Sequence, residues 1–302
     1  MATERLMFIS LTVSSSVLLD IPPFSLNLIQ NVQNMLSVDF MQSAFLAGTV
    51  LAIVAGLVGY FVVLRHLVFA VEALSHVTFT GALLAAVVGQ QPIVGLFGVT
   101  ALVALAMGLL GNRSARSRDV EVGTVLAWVL GLGVLFLSMY TTTSSGAKGS
   151  LGVNILFGSI LGLQPQQVQW ITIVGTLAIA AILAIARPLL FASVDSDVAA
   201  VRGIPVRGLN ILFLVLVAIS VAAAVPAVGV LLNSALIVTP AAIAQRLVSR
   251  PFMALLLSAV IALLFTWVGL TIGFYAPVPI SFLMSAIAFL SYVLVATFSR
   301  KN

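Results

Sequence analysis

Two side chains in this sequence combine types and spacing suited to coordination chemistry or to proton transfer. Glu72 and His76 fall in Val71-Glu72-Ala73-Leu74-Ser75-His76, inside a run that is otherwise apolar. Four residues apart on a helix, they share one face. A carboxylate oxygen and an imidazole nitrogen on one face are ligands for Zn, Mn or Fe(II). They are equally partners for a mutual hydrogen bond, with the pair near one end of its helix and partly wet. Spacing alone leaves both readings open. Two ligands fall short of a closed site, which takes about four. A two-fold dimer would bring a second pair to its axis and supply the rest.

The elements that must position this pair follow from composition. The chain has 302 residues, of which 62% are hydrophobic and 7% charged. Ordinary soluble domains carry about 25% charge. A chain this poor in charge needs lipid as its solvent. Crossing the hydrocarbon takes about 20 apolar residues in a helix. Such runs predict an all-α polytopic membrane protein with about nine transmembrane helices (eight to ten), near 42–64, 68–89, 93–111, 121–140, 168–186, 209–226, 228–245, 252–272 and 279–298. Residues 1–41 read as a lead-in, in which 6–20 is short for a span and is either an extra or an interfacial helix. The segment 151–163 is also too short to cross and reads as a re-entrant or surface helix. Residues 42–302 then make up the transmembrane domain.

Basic residues gather in alternate loops: Arg65; Arg113, Arg116 and Arg118; Arg187, Arg202 and Arg207; Arg246 and Arg250; Arg300 and Lys301. Lys148 is the exception. The positive-inside rule puts these loops in the cytoplasm. The net charge of +5 is thus a topology signal and not a nucleic-acid footprint, since no basic face forms. With no cysteine, thiolate ligands and disulfides are excluded. No loop is long enough for a catalytic domain, and no phosphate-binding GxxxxGK[ST] loop occurs, so the chain cannot hydrolyse ATP by that device.

The remaining polar residues have plainer readings. Most acidic groups (Asp39, Asp119, Glu121, Asp195, Asp197) lie at span ends or in loops. His66 beside Arg65 reads as interfacial. Asn154 and Asn233 satisfy neighbouring backbone or another helix. Pro240 breaks a span after Thr239 and leaves a packed kink or carbonyls that line a pathway. Glycines beside other small residues, such as Gly48 and Gly56, suit close helix packing. In 193–208, Ser193 or Asp195 can cap a short helix that Gly203 ends. That helix is either a solvated connector or a docking element for a cytoplasmic partner.

A series of short motifs resembles the ABC-3 type permeases of the zinc, manganese and iron ABC importers. Phe61-Val62-Val63-Leu64-Arg65 followed by Glu72-Ala73-Leu74-Ser75-His76 is similar to that family's "FvvLRr…gDALSHavlpG". Asp119-Val120-Glu121-Val122-Gly123 resembles "eDtaiG", and Asn154 to Gly162 resembles "hiLfGniLg". Ser193 to Arg207 resembles "sfDpelAralGlpvr". Val228 to Leu232 and Thr239 to Ala244 resemble "vGvlLv…viPaatA". The series runs in order from about Asp39 to the last span. Glu72 departs from the pattern by standing where the family has Asp. Pro277 to Ser281 departs from "lPtG", and no role is carried there.

The resemblance implies the membrane-spanning permease subunit of an ATP-driven importer of a divalent transition metal ion, not an enzyme and with no cofactor of its own. It implies metal contact at Glu72 and His76. It implies a coupling helix near 195–203, with Asp195, Asp197, Ala199, Arg202 and Gly203, seated on a separate ATPase subunit. An extracellular or periplasmic metal-binding protein and a second permease copy, identical or not, complete the assembly. Protonating His76 opposes metal binding, so transport is expected to weaken at acidic pH. Other readings are a secondary transporter with a Glu/His proton relay, a membrane scaffold, and a siderophore or cobalamin permease.

Overall fold

In lipid, a long apolar run has no way to satisfy its backbone except by forming a helix. The computed structural model describes residues 35, 37–110, 115–143, 150–276 and 278–298, with backbone alone at 110, 115–121, 143, 150 and 151. It is built of helices accordingly. In chain order these are α1 (Asp39–Leu64), α2 (Val68–Val87), α3 (Pro92–Leu110), α4 (Ala115–Thr143) and α5 (Ser150–Phe157). A 3-10 turn at Ile160–Gly162 leads to α6 (Pro165–Val194) and α7 (Ser196–Val201). Then come α8 (Val206–Val228), α9 (Val230–Leu247), α10 (Pro251–Tyr275) and α11 (Ile280–Phe298). Among the described residues nine helices are long and apolar enough to cross a bilayer, matching the expected spans. The expected lead-in helix at 6–20 and the loop residues Arg113, Lys148, Arg300 and Lys301 lie outside the described residues. So do the side chains of Arg116, Arg118, Asp119 and Glu121.

Three helices form the interior. α1, α2 and α8 are buried along most of their length, whereas α3, α4 and α11 expose most of theirs. α1 packs against α6, α9 and α10, and α2 packs against α3, α4, α8 and α9. Helix association in lipid relies on close backbone approach rather than on hydrophobicity. Gly81 of α2 and Gly95 of α3 meet in this way: a Cβ on either would collide with the other's carbonyl oxygen.

The segment α5 and its 3-10 turn are too short to cross and are held against the junction of α8 and α9. Gly158 (φ +70°) and Gly229 (φ +88°) touch through their backbones at this junction, in a conformation that suits glycine. The Ser159 amide donates to the Pro226 carbonyl at 3.1 Å, and the Ser281 hydroxyl of α11 donates to the Phe157 carbonyl at 3.0 Å. At Pro240 the helix α9 is not interrupted: it runs through that proline, which is packed in the bundle. Neighbouring helices in lipid compensate the one hydrogen bond that proline removes.

Gly95→Val is expected to lower stability by about 1–3 kcal/mol, the usual cost of overpacking. Gly98→Ala on the same helix, where an added Cβ meets open space, leaves it unchanged. Thermal melting of the two purified variants in one detergent checks the difference.

Candidate functional site

α2 carries an unusual share of the polar groups of the interior. Its Thr78 hydroxyl shares a 3.0 Å hydrogen bond with Thr100 of α3, and its Thr80 hydroxyl donates to the Val129 carbonyl of α4 at 3.0 Å. Ser75, Thr78, Thr80 and Thr100 are all buried. Each of these hydroxyls is paired, as burial in an apolar medium demands.

Glu72 and His76 lie one turn apart on α2, about 6 and 12 Å along the helix from Val68 at 1.5 Å per residue. His76 Nε2 stands 3.4 Å from Glu72 Oε1. Their side chains are 14% and 33% exposed, respectively, so the pair is neither sealed among packed groups nor turned fully outward. The two groups thus face one another, and an open edge remains. Ser234 of α9 is a further polar group that meets the Glu72 carboxylate.

Behind the pair lies a second rung between α2 and α9. Asn233 is fully buried, and its Nδ2 donates to Ser75 Oγ at 3.1 Å. Ser75 in turn donates to the Val71 carbonyl at 3.0 Å. Asn233 thus does reach another helix, as its sequence suggested. Its Oδ1, however, is buried with no partner among the described residues. An unpaired buried acceptor costs about 1–3 kcal/mol. Sequence reasoning missed Ser75 and Ser234 as members of this group; a small hydroxyl one residue from a candidate ligand carries no periodicity of its own.

Among the described residues no three of His, Cys, Asp and Glu converge. Glu72 and His76 are thus an acidic and an imidazole group that meet as a pair, without a third such group beside them among the described residues. His66 lies apart from them, exposed in the turn between α1 and α2 at φ 55°. Beside it, Arg65 donates to Asn210 of α8 and its guanidinium lies over the Phe213 ring, 5.5 Å from the centroid. Asn154 is exposed and helps to line a cavity of about 640 Å³ at the opposite end of the bundle from Arg65. Gln91, Gln164, Gln167, Trp170 and Pro226 also line that cavity; Glu72 and His76 do not.

The 195–203 segment forms the expected short helix. Asp195 caps α7, its Oδ1 accepting from the amides of Asp197 and Val198 at 3.1 and 3.0 Å. Ser193, the other candidate cap, instead donates to the Leu189 carbonyl. Ala199 is buried against the bundle, and the Arg202 guanidinium lies over the Phe191 ring at 5.3 Å. Gly203, at φ +81°, ends the helix. Asp197 is exposed, and Val198 and Val201 are exposed apolar residues on the free side.

A profile of the ABC 3 transport family matches residues 37–299. The chain belongs to this family. It is 31% identical to the manganese import system permease protein ScaB of Streptococcus parasanguinis, over 87% of this chain and 93% of that protein. It is 28% identical to the manganese transport system membrane protein MntC of Halalkalibacterium halodurans, over 78% of this chain and 79% of that one. Among solved structures it is similar to PsaBC from Streptococcus pneumoniae in complex with Fab. The TM-score is 0.77 and the identity 25%, covering 88% of this chain and 94% of the other.

Ser75→Ala is expected to cost about 1–3 kcal/mol, because it strips the Asn233 amide of its remaining partner in a dry place. Thr271→Ala, which removes a hydroxyl bonded only to the Trp267 carbonyl of its own helix, should stay within about 0.5 kcal/mol. Melting temperatures of the two variants test this.

Proposed function

We propose that this chain is the membrane-spanning permease subunit of an ATP-driven importer of divalent transition metal ions, and that manganese is its cargo. The observation that carries the reading is the Glu72–His76 pair. It is a partly exposed carboxylate and a mostly buried imidazole, 3.4 Å apart, on an interior helix of a family member whose relatives bear manganese transport in their names.

A charge at membrane depth costs a few kcal/mol even by the mildest scale, about 2.5–3.5 at a helix centre. A carboxylate is kept there when something positive repays that cost. His76 repays part of it. A passing dication repays more, and its open edge on Glu72 is the side from which it enters. A second copy of the permease supplies a second Glu72 and His76, which brings the ligand number to the four or more that such an ion takes. The resulting site is deliberately loose. A transport site must release what it binds.

α7 is the element through which a separate ATPase subunit drives the cycle. Ala199 anchors it to the bundle, Asp195 and Gly203 fix its two ends, and Val198, Val201 and Asp197 face outward to the partner. An external metal-binding protein delivers the ion at the opposite end. Residues 42–302 act as one permease unit.

In vesicles holding the complete transporter, a Glu72→Ala/His76→Ala double variant takes up Mn²⁺ at background rate while its ATPase subunit still binds. Uptake equal to the parent's would refute the role of the pair. Separately, Val201→Asp should weaken ATPase binding by more than about tenfold, as expected for a truncated anchor at an interface centre. A pull-down titration reads it, and parental affinity would exclude α7 as the contact.

A further inference from the structure

We propose that Asn233 is a specificity-determining residue of this transporter: its side-chain oxygen is an inner, neutral ligand that favours Mn²⁺ over Zn²⁺. The inference rests on the assignment of Glu72 and His76 to the cargo path.

Three observations converge on it. First, the Asn233 amide adjoins the immediate neighbours of the pair on both helices. Its Nδ2 bonds Ser75, the residue just before His76 on α2, and Ser234, the residue just after it on α9, meets the Glu72 carboxylate. Second, exposure falls from Glu72 at 33% to His76 at 14% and to Asn233 at 0%, so the amide lies deeper in the protein than either member of the pair. Third, Asn233 Oδ1 is buried and without a partner among the described residues.

Turning the amide over does not remove the deficit. Ser75 could then donate to Asn233 Oδ1 only by giving up the Val71 carbonyl, and the amide N–H groups, which cost as much to bury, would be left unpaired instead. The chain therefore keeps a polar atom at the site that its own packing does not satisfy. Such atoms call for a functional explanation. A carbonyl oxygen is satisfied best by positive charge, and the cargo at Glu72 and His76 would supply one.

The chemistry of that oxygen sets the preference. Carboxylate and carbonyl ligands suit Mn²⁺, whereas nitrogen-rich sets of low coordination number suit Zn²⁺. With Asn233, each subunit offers two oxygens and one nitrogen. The added ligand raises coordination number without adding negative charge, so binding tightens without trapping the ion.

The test uses the complete transporter with Asn233→Leu, close in shape and free of polar atoms, and Asn233→Asp, which keeps an oxygen. Mn²⁺ binding is read by electron paramagnetic resonance and by the half-saturating concentration for uptake, with Zn²⁺ as competitor. Expected for Asn233→Leu is Mn²⁺ affinity lower by about tenfold or more, in the range of lost supporting ligands. Zn²⁺ competition should shift by less than about threefold, and the melting temperature should be equal or higher. Asn233→Asp should bind Mn²⁺ as well as or better than the parent and release it more slowly. Equal loss for both metals, or no loss for either, overturns the proposal. Should the Leu variant fail to melt cooperatively, the Asp variant decides: weaker Mn²⁺ with unchanged Zn²⁺ overturns it. If Glu72→Ala/His76→Ala abolishes uptake while Asn233→Leu keeps the parental Mn²⁺/Zn²⁺ ratio, only this inference falls. If that double variant transports normally, the reading of the pair falls with it.

Discussion

A carboxylate in hydrocarbon must be answered by a positive or hydrogen-bonding partner, and much of this structure can be understood as the framework for one such group. Glu72 faces His76 at 3.4 Å and meets Ser234 across the α2–α9 contact. The other polar groups of α2 are each paired to a different neighbour, so that the helix is pinned to α3 and α4 by Thr78 and Thr80 and to α9 by Ser75. A helix tied on several sides cannot turn to hide its carboxylate. The exposed edge of Glu72 is thereby maintained.

The glycine contacts serve the same end by a different physical route. Lipid gives no hydrophobic drive for helices to associate, so α2 and α3 rely on the contact area gained where Gly81 and Gly95 let their backbones meet. At the junction of α8 and α9, Gly158 and Gly229 allow the short α5 segment to seat against the start of α9. That start is the turn from which Asn233 and Ser234 project. The irregular backbone of the fold thus lies one turn from the polar rung beside the pair, and it is tolerated in lipid because protein surrounds it.

The two ends of the bundle differ in kind. At one, Arg65 is tied to α8 through Asn210 and Phe213, and α7 presents valines beyond the membrane-crossing length of α6. At the other, a cavity rich in carboxamides carries no charged residue in its lining. Family membership makes this a transport protein, and its two ends are chemically distinct, one basic and one neutral.

Composition and hydropathy by themselves determined the nine long helices and their approximate ends, because an apolar run of about 20 residues in lipid has one stable backbone solution. The i, i+4 spacing of Glu72 and His76 determined that they share a face, and Gly203 determined where α7 ends, since turns are local chemistry, while the choice of Asp195 over Ser193 as its cap came from the structure. At Pro240 local propensity gave a kink or a break, and the helix α9 continues through that proline among packed neighbours. Only the tertiary structure decided what stands opposite that face. Ser75 and Asn233 are 158 residues apart in sequence, and nothing local to either specifies the other. Whether a buried amide finds both its partners depends on how two helices cross, and crossing is a property of the packed bundle rather than of any one run of residues.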